Sequence, residues 1–345
     1  MSSKNVGLIA VVVAALFQGQ LHAQAPTVTV GGVAYAQYQY QLKDSANHIN
    51  NFDVTRAYIN VIGKFAYGIG TRVTADIFRS TDGSLSYRLK YAYATWTPEK
   101  SALTFKLGQM HTPWLDWEEH LWDYRMQGQM AVERGGYMSS SDFGAGVDGN
   151  WGFDKVNMQL GVYNGENYNK APGDQRKDLM GRVSVRLAGT DEGGRDGGLR
   201  LTGYGQVGKP NGGGTRQRYI GMLSYRSKVV TLAAELASTK DSVIPAVTTP
   251  PTAATPEKSG RVVSVFGVLR IPKSKFSIIG RVDATDPNTS VDNDRQTRVI
   301  AGLSYTMSSN LRVMLDLDNV SYQTTPTPAQ EAVRSQALFQ IQLTF

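Results

Sequence analysis

Arg334-Ser-Gln-Ala-Leu-Phe-Gln-Ile-Gln-Leu-Thr-Phe345 closes the chain with a strict alternation. One face carries Ala337, Phe339, Ile341, Leu343 and Phe345, and the other mainly Gln336, Gln340, Gln342 and Thr344. A period of two with an apolar face and an amide face is the pattern of a strand between two unlike media. Amides opposite the apolar row suit a strand with hydrocarbon on one side and water on the other. The same pattern recurs from Val28 onwards.

Working outward from the terminus, sixteen such segments can be marked: 28–42, 53–65, 69–80, 86–97, 102–111, 142–150, 154–164, 178–188, 198–208, 215–227, 229–240, 260–271, 275–285, 295–307, 310–323 and 334–345. Their lengths match a tilted membrane strand of about 9–11 residues plus overhang. Breaks after even segments are short, as at Ala66-Tyr-Gly68, Pro98-Glu-Lys100, Trp151-Gly-Phe153, Ser227-Lys228, Pro272-Lys-Ser274 and Ser308-Ser309. Breaks after odd segments are mostly longer. The short break Thr81 to Leu85 and the long even turn Thr190 to Gly197 depart from this rule. Tight turns at one end and longer loops at the other are expected of an outer-membrane barrel.

Residue parity sorts the two faces. The lipid side would hold Ala57, Ile59, Val61 and Phe65 on the second strand, Tyr87, Leu89, Tyr91 and Tyr93 on the fourth, and Leu103, Phe105 and Leu107 on the fifth. A Lys or Arg facing mid-bilayer lipid costs about 2–4 kcal/mol, so the charged parity is expected to face inward. Inward candidates are Arg56, Lys64, Arg72, Arg88, Lys90, Lys106, Arg182, Arg186, Arg281, Arg298 and Arg312. Val262 to Ile271 is apolar on both faces, so parity does not orient it. A barrel of sixteen strands is wide enough to hold an aqueous channel, and closure is obligatory because an open edge in lipid leaves unpaired amides.

One break leaves the alternation. Residues 112–141 contain Pro113-Trp-Leu-Asp-Trp-Glu-Glu-His-Leu-Trp-Asp-Tyr-Arg125, in which Trp114, Trp117, Leu121 and Tyr124 recur at three- and four-residue spacing, which predicts a short amphipathic helix. A loop this long is often functional. Gly144, Gly146, Gly108, Ala92 and Ala94 would form a small-residue row on the inner wall that leaves room for it.

Bulk properties narrow the class further. The chain has 345 residues and no cysteine, which excludes disulfides and thiolate metal sites. Mean hydropathy is −0.29, which excludes a helical membrane protein. The apolar run Val6 to Phe17 follows Lys4 and precedes Leu21-His22-Ala23, so residues 1–23 read as a secretory signal and 24–345 as the exported barrel. A buried N-terminal helix is the competing reading, and the charged start with a small-residue exit favours the signal.

Phe52-Asp-Val-Thr-Arg-Ala-Tyr-Ile-Asn-Val-Ile-Gly-Lys-Phe65, Gly70-Thr-Arg-Val-Thr-Ala-Asp76 and Leu107-Gly-Gln-Met-His-Thr-Pro113 resemble general porins and, more closely, the phosphate-selective porin O and P family. The resemblance implies an all-β, sixteen-stranded antiparallel transmembrane barrel in the bacterial outer membrane, a homotrimer, and a third loop folded inward as a constriction. It also implies Phe345 as the signal read by the barrel-assembly machinery. Surrounding partners would be outer-membrane lipid and lipopolysaccharide.

The formal net charge is +7. Basic walls facing Asp116, Glu118, Glu119 and Asp123 of the loop would set a transverse field, and the basic excess would focus anions. Passive diffusion of small hydrophilic solutes, with an anion preference of the phosphate-like kind, is the function expected. Paired wall charges without bias are the competing reading. Trp114, Trp117 and Trp122 could instead stack pyranose rings in a sugar-specific channel, and an adhesin or structural anchor with a plugged lumen is a third possibility. His111 and His120 flank acidic residues, but their spacing matches no ligand motif, so neither metal nor cofactor is expected. No strand carries the Ser/His pair that a hydrolase needs, so the chain is not read as an enzyme. Its charges alternate with lipid-facing residues rather than forming one outer patch, so nucleic acid is not an expected partner.

Overall fold

A computed structural model describes residues 25–43, 48–171, 173–244, 253–331 and 334–345. The expected signal and most of the Pro245 to Pro256 tract lie outside the described residues. Sixteen strands occur among the described residues: β1 (Thr27–Gln41), β2 (Asn50–Lys64), β3 (Ile69–Arg79), β4 (Leu85–Trp96), β5 (Leu103–His111), β6 (Ser141–Trp151), β7 (Val156–Tyr163), β8 (Asp178–Ala188), β9 (Gly198–Gly208), β10 (Gly214–Arg226), β11 (Val230–Val243), β12 (Lys258–Arg270), β13 (Phe276–Asp286), β14 (Gln296–Thr306), β15 (Leu311–Tyr322) and β16 (Ser335–Thr344). Each pairs antiparallel with its sequence neighbours, and β1 pairs with β16 to close the barrel.

The closing seam rests on the terminal alternation. Ala36 faces Ile341 and Tyr38 faces Phe339 across it. Phe345 N donates to Gly32 O at 3.1 Å, and Gly32 N donates to Phe345 O at 2.7 Å. A Cβ at position 32 would lie 2.4 Å from the backbone carbonyl oxygen of Tyr58 as well as 2.4 Å from the Phe345 ring, so the seam requires glycine there. The outward faces carry exposed Leu107, Leu201, Leu223, Leu236, Leu315 and Leu317, with Leu107 at 67% and Leu315 at 61%. An apolar surface this continuous is matched to lipid rather than to water.

Two expectations about β4 are corrected. Thr74 opposes Tyr91 but Ala75 opposes Leu89, so Lys90 is an extra residue in a β-bulge. The bulge inverts parity beyond it. Tyr91 is therefore buried, stacked on His111 at 3.9 Å, and Tyr93 meets the same ring edge-on at 5.8 Å. Ala94 and Trp96 turn outward instead, opposite Leu107 and Phe105. Gln109 closes the defect, donating Nε2 to Leu89 O at 2.7 Å and to Lys90 O at 2.9 Å. The glycine row of β6 is overlaid by strand side chains rather than by the loop itself. Tyr163 covers Gly144 and Met110 covers Gly146.

The orientation of β12 follows from its partners. Val262, Phe266 and Val268 are buried, whereas Val263, Val265 and Leu269 are exposed. Its inner face is apolar because it receives a tryptophan from the long third loop: Trp122 meets Phe266 edge-on at 5.3 Å.

Candidate functional site

The segment between β5 and β6 contains helix α1 (Pro113–Trp122) and a single turn α2 (Ala131–Arg134). Proline at the first position starts α1, and Asp123, at φ +62°, ends it in the left-handed region. Trp114, Leu115, Trp117, Leu121 and Trp122 are all fully buried. They join one apolar cluster with Ile220, Met222, Ala233, Ala237, Phe266, Ile279 and Met314, which come from β10 to β13 and β15. Burying a tryptophan side chain removes roughly 150–250 Å² from water, or about 4–6 kcal/mol each at about 25 cal/mol per Å². The three rings present no face to a solute, which removes the sugar-stacking reading.

Inner-face side chains satisfy the segment's backbone carbonyls. Arg182 Nε donates to Pro113 O at 3.1 Å, and Arg312 Nη1 donates to Asp123 O at 2.8 Å. Arg281 Nη1 reaches Gln129 O at 3.2 Å, Gln340 Nε2 reaches Met126 O at 2.8 Å, and Arg218 Nε reaches Tyr137 O at 3.0 Å. Arg182 also lies over the Trp117 ring at 4.4 Å. These groups hold the segment from β8, β10, β13, β15 and β16.

The acidic residues of the segment are partnered in different ways. Arg195 bonds both the Asp116 carboxylate, at 2.8 Å, and the Asp116 carbonyl, at 3.0 Å. Burial opposes the charge on Asp116, but Arg195, with His111 beside it, holds the carboxyl well below the usual carboxylate range. Glu119 pairs with Arg125 at 2.9 Å, and Arg125 also reaches Glu133 at 2.5 Å. Asp123 lies 3.6 Å from Arg312 and 3.7 Å from Arg270. Glu118 accepts from Trp114 Nε1 at 3.1 Å.

The predicted basic residues fall into two groups. On the side that carries the segment, Arg281 pairs with Asp283 at 2.8 Å and Arg298 with Asp318 at 2.6 Å, while Arg182 and Arg312 bind backbone. Arg186 donates to Phe153 O at 2.8 Å, Lys106 pairs with Asp148, and Lys64 lies exposed at the end of β2. The wall formed by β2, β3 and β4 differs. Arg56 lies over Tyr58 at 4.6 Å and Tyr35 at 5.8 Å. Arg72 lies over Tyr91 at 4.8 Å and donates to Asn60 Oδ1 and Thr74 Oγ1, each at 3.0 Å. Arg88 lies over Tyr168 at 4.7 Å. Lys90 Nζ is 3.9 Å from the same ring and donates to the Ser140 hydroxyl. Among the described residues, none of these four cations is within ion-pair distance of a carboxylate. The buried carboxyl that feels the charges of Arg56, Arg88 and Lys90 is Asp76.

The aromatic seats of these cations were not anticipated. Tyr58 shares inward parity with Arg56 and could have been found, whereas Tyr91 is hidden by the bulge and Tyr168 belongs to a loop. His111 and His120 are not brought together: His111 stacks on Tyr91, and His120 bonds Asp196 at 2.9 Å.

The fold is shared with solved outer-membrane proteins. OmpF of Salmonella typhi, in complex with daunomycin, superposes with a TM-score of 0.68 at 14% identity, covering 92% of this chain and 97% of that one. The anion-selective porin of Comamonas acidovorans gives 0.62 at 13% identity, covering 93% and 100%. The trimer form of OmpT of Vibrio cholerae gives 0.63 at 12% identity, covering 93% and 99%. A comparison with curated protein sequences gives no match. The model of one family, phosphate-selective porin O and P, matches residues 28–224. With its closed sixteen-stranded barrel and lipid-matched outer face, the chain belongs to that porin family and is an outer-membrane channel protein.

Proposed function

We propose that residues 112–140 narrow the lumen, and that small hydrophilic solutes pass between this segment and the β2–β4 wall with a preference for anions. The observation that carries the preference is the set of four cations, Arg56, Arg72, Arg88 and Lys90, seated on tyrosine rings rather than on carboxylates. Arg56 and Arg88, with their faces on rings, keep N–H edges for an oxyanion, which Arg matches bidentately. Arg72 spends Nε and Nη2 on Thr74 and Asn60, and Lys90 is buried on Ser140, so these two add positive field alone. Glu119 and Asp123, partly exposed on the segment, supply the opposite pole of a transverse field. The family's phosphate selectivity and the anion-selective Comamonas porin support this reading.

A homotrimer is part of the same proposal and is supported by the trimer form of the Vibrio OmpT. So are contacts of the outward leucines with lipid and lipopolysaccharide, and recognition of Phe345, 62% exposed, by the barrel-assembly machinery. Reversal potentials in a potassium chloride gradient across planar bilayers test the preference. A potential of the sign set by chloride supports it, and cation selectivity ends it.

A further inference from the structure

The turn between β8 and β9, residues 189–197, is the long one at the end of the barrel where the other turns are tight. Its extra length reaches α1. Arg195 takes both the side chain and the carbonyl of Asp116. Asp196, 5% exposed, binds His120 Nδ1 at 2.9 Å. Arg226 of β10 completes the contact, with Nη1 2.9 Å from Asp196 Oδ2 and 3.1 Å from His120 O. Asp116 and His120 are four residues apart, so they share one face of the helix. Trp114 and Glu118 point to the wall on another face, and Glu118 faces Glu235 of β11.

The turn is itself braced. Arg200 holds Gly197 O at 2.9 Å and Gly194 O at 3.2 Å. Thr190 Oγ1 donates to Arg226 O at 2.6 Å, and Lys228 N donates to Asp191 Oδ1 at 3.1 Å. Gly194, at φ +84°, allows the reversal that brings Arg195 and Asp196 back towards the helix. A mere connection between two strands needs none of this.

We infer that the β8–β9 turn is a clasp whose Arg195 and Asp196 are positioning residues for α1, setting how far the helix stands from the β2–β4 wall and hence the size of solute that passes. The inference rests on the reading of residues 112–140 as a constriction. It makes the filter adjustable from the tight-turn end, the periplasmic end in an outer-membrane barrel.

Single-channel recordings and liposome swelling with sugars of graded size test it. Arg195→Gln and Asp196→Asn should raise conductance and open-channel noise and admit larger sugars. Exchanging the charges, Asp116→Arg with Arg195→Asp, should bring these values back towards native ones, which a loss of general stability would not do. Native conductance, noise and size cut-off in both single variants would overturn the clasp. Arg56→Ala separates the two ideas. If it shifts selectivity while the clasp variants do nothing, only the clasp falls. If neither shifts anything, the constriction reading falls and takes the clasp with it.

Discussion

Glu118 of α1 and Glu235 of β11 are neighbouring carboxyls, both buried against the wall, and neither Glu235 oxygen has a hydrogen-bond partner among the described residues. Two carboxylates so placed cannot both be charged cheaply. Burial first, and then the charge of Glu235, push the Glu118 carboxyl well above its ordinary value, with Arg281 opposing and Asp283 adding to the effect. A proton kept on Glu118 therefore lets the helix pack against β11 without two facing charges.

That arrangement predicts a pH dependence. An acid whose pKa is raised on folding favours the folded state most when protonated, and the advantage is lost as pH climbs from the ordinary Glu value of 4.5 through the raised one. A tenfold change in the acidity of one group on folding is worth about 1.4 kcal/mol. Glu118→Gln, which keeps a donor without a charge, should be more stable than native protein at pH 8 and should flatten the pH profile. Thermal denaturation in detergent between pH 4 and pH 9 measures this. An unchanged slope would refute a Glu118 that stays protonated against Glu235.

Trp122→Ala should cost about 3–5 kcal/mol, since it opens a cavity against Phe266 in a well-packed cluster. The same variant should increase current noise by freeing the end of α1. A loss below roughly 1 kcal/mol in denaturation would mean that the ring does not hold the segment.

Arg56→Ala and Arg88→Ala should each lower the anion-to-cation permeability ratio. A unit charge 4 Å from an ion in water is worth about 1 kcal/mol, so the ratio should fall by up to roughly fivefold per charge. The preference should also shrink between 0.1 M and 1 M salt, as the screening length drops from about 10 Å to about 3 Å. Ratios indifferent to both manipulations would place selectivity elsewhere.

Gln109→Leu removes a donor from both bulge carbonyls, leaving Lys90 O to the Ser141 hydroxyl and Leu89 O without its side-chain donor, and should cost about 1–3 kcal/mol. The same change should also alter selectivity, because it loosens Lys90 and Tyr91. Native stability in denaturation would show that water replaces the glutamine amide.

The strands were legible because lipid and water impose opposite demands on adjacent residues. The observed strand limits lie within a few residues of the alternation at every strand. Legibility failed where that rule is locally suspended. One inserted residue at Lys90 reverses the faces of Tyr91 and Tyr93 without leaving a mark on composition. On β12 the inner face answers to Trp122 rather than to water, so two apolar faces defeated parity. The cation seats and the clasp depend on residues far apart in the chain, as with Arg88 on Tyr168 or Arg195 on Asp116, and a period of two says nothing about such pairs.

The apolar patch that receives α1 divides the circumference into two arcs with separate duties. The arc from β8 to β16 is committed to holding the segment, and substitutions there disturb the scaffold. The β2–β4 arc bears little of that load. If that arc is the selecting wall proposed above, its charges can be exchanged one at a time, and a new permeant would be accommodated by retuning a single side of the channel while the opposite side keeps the architecture intact.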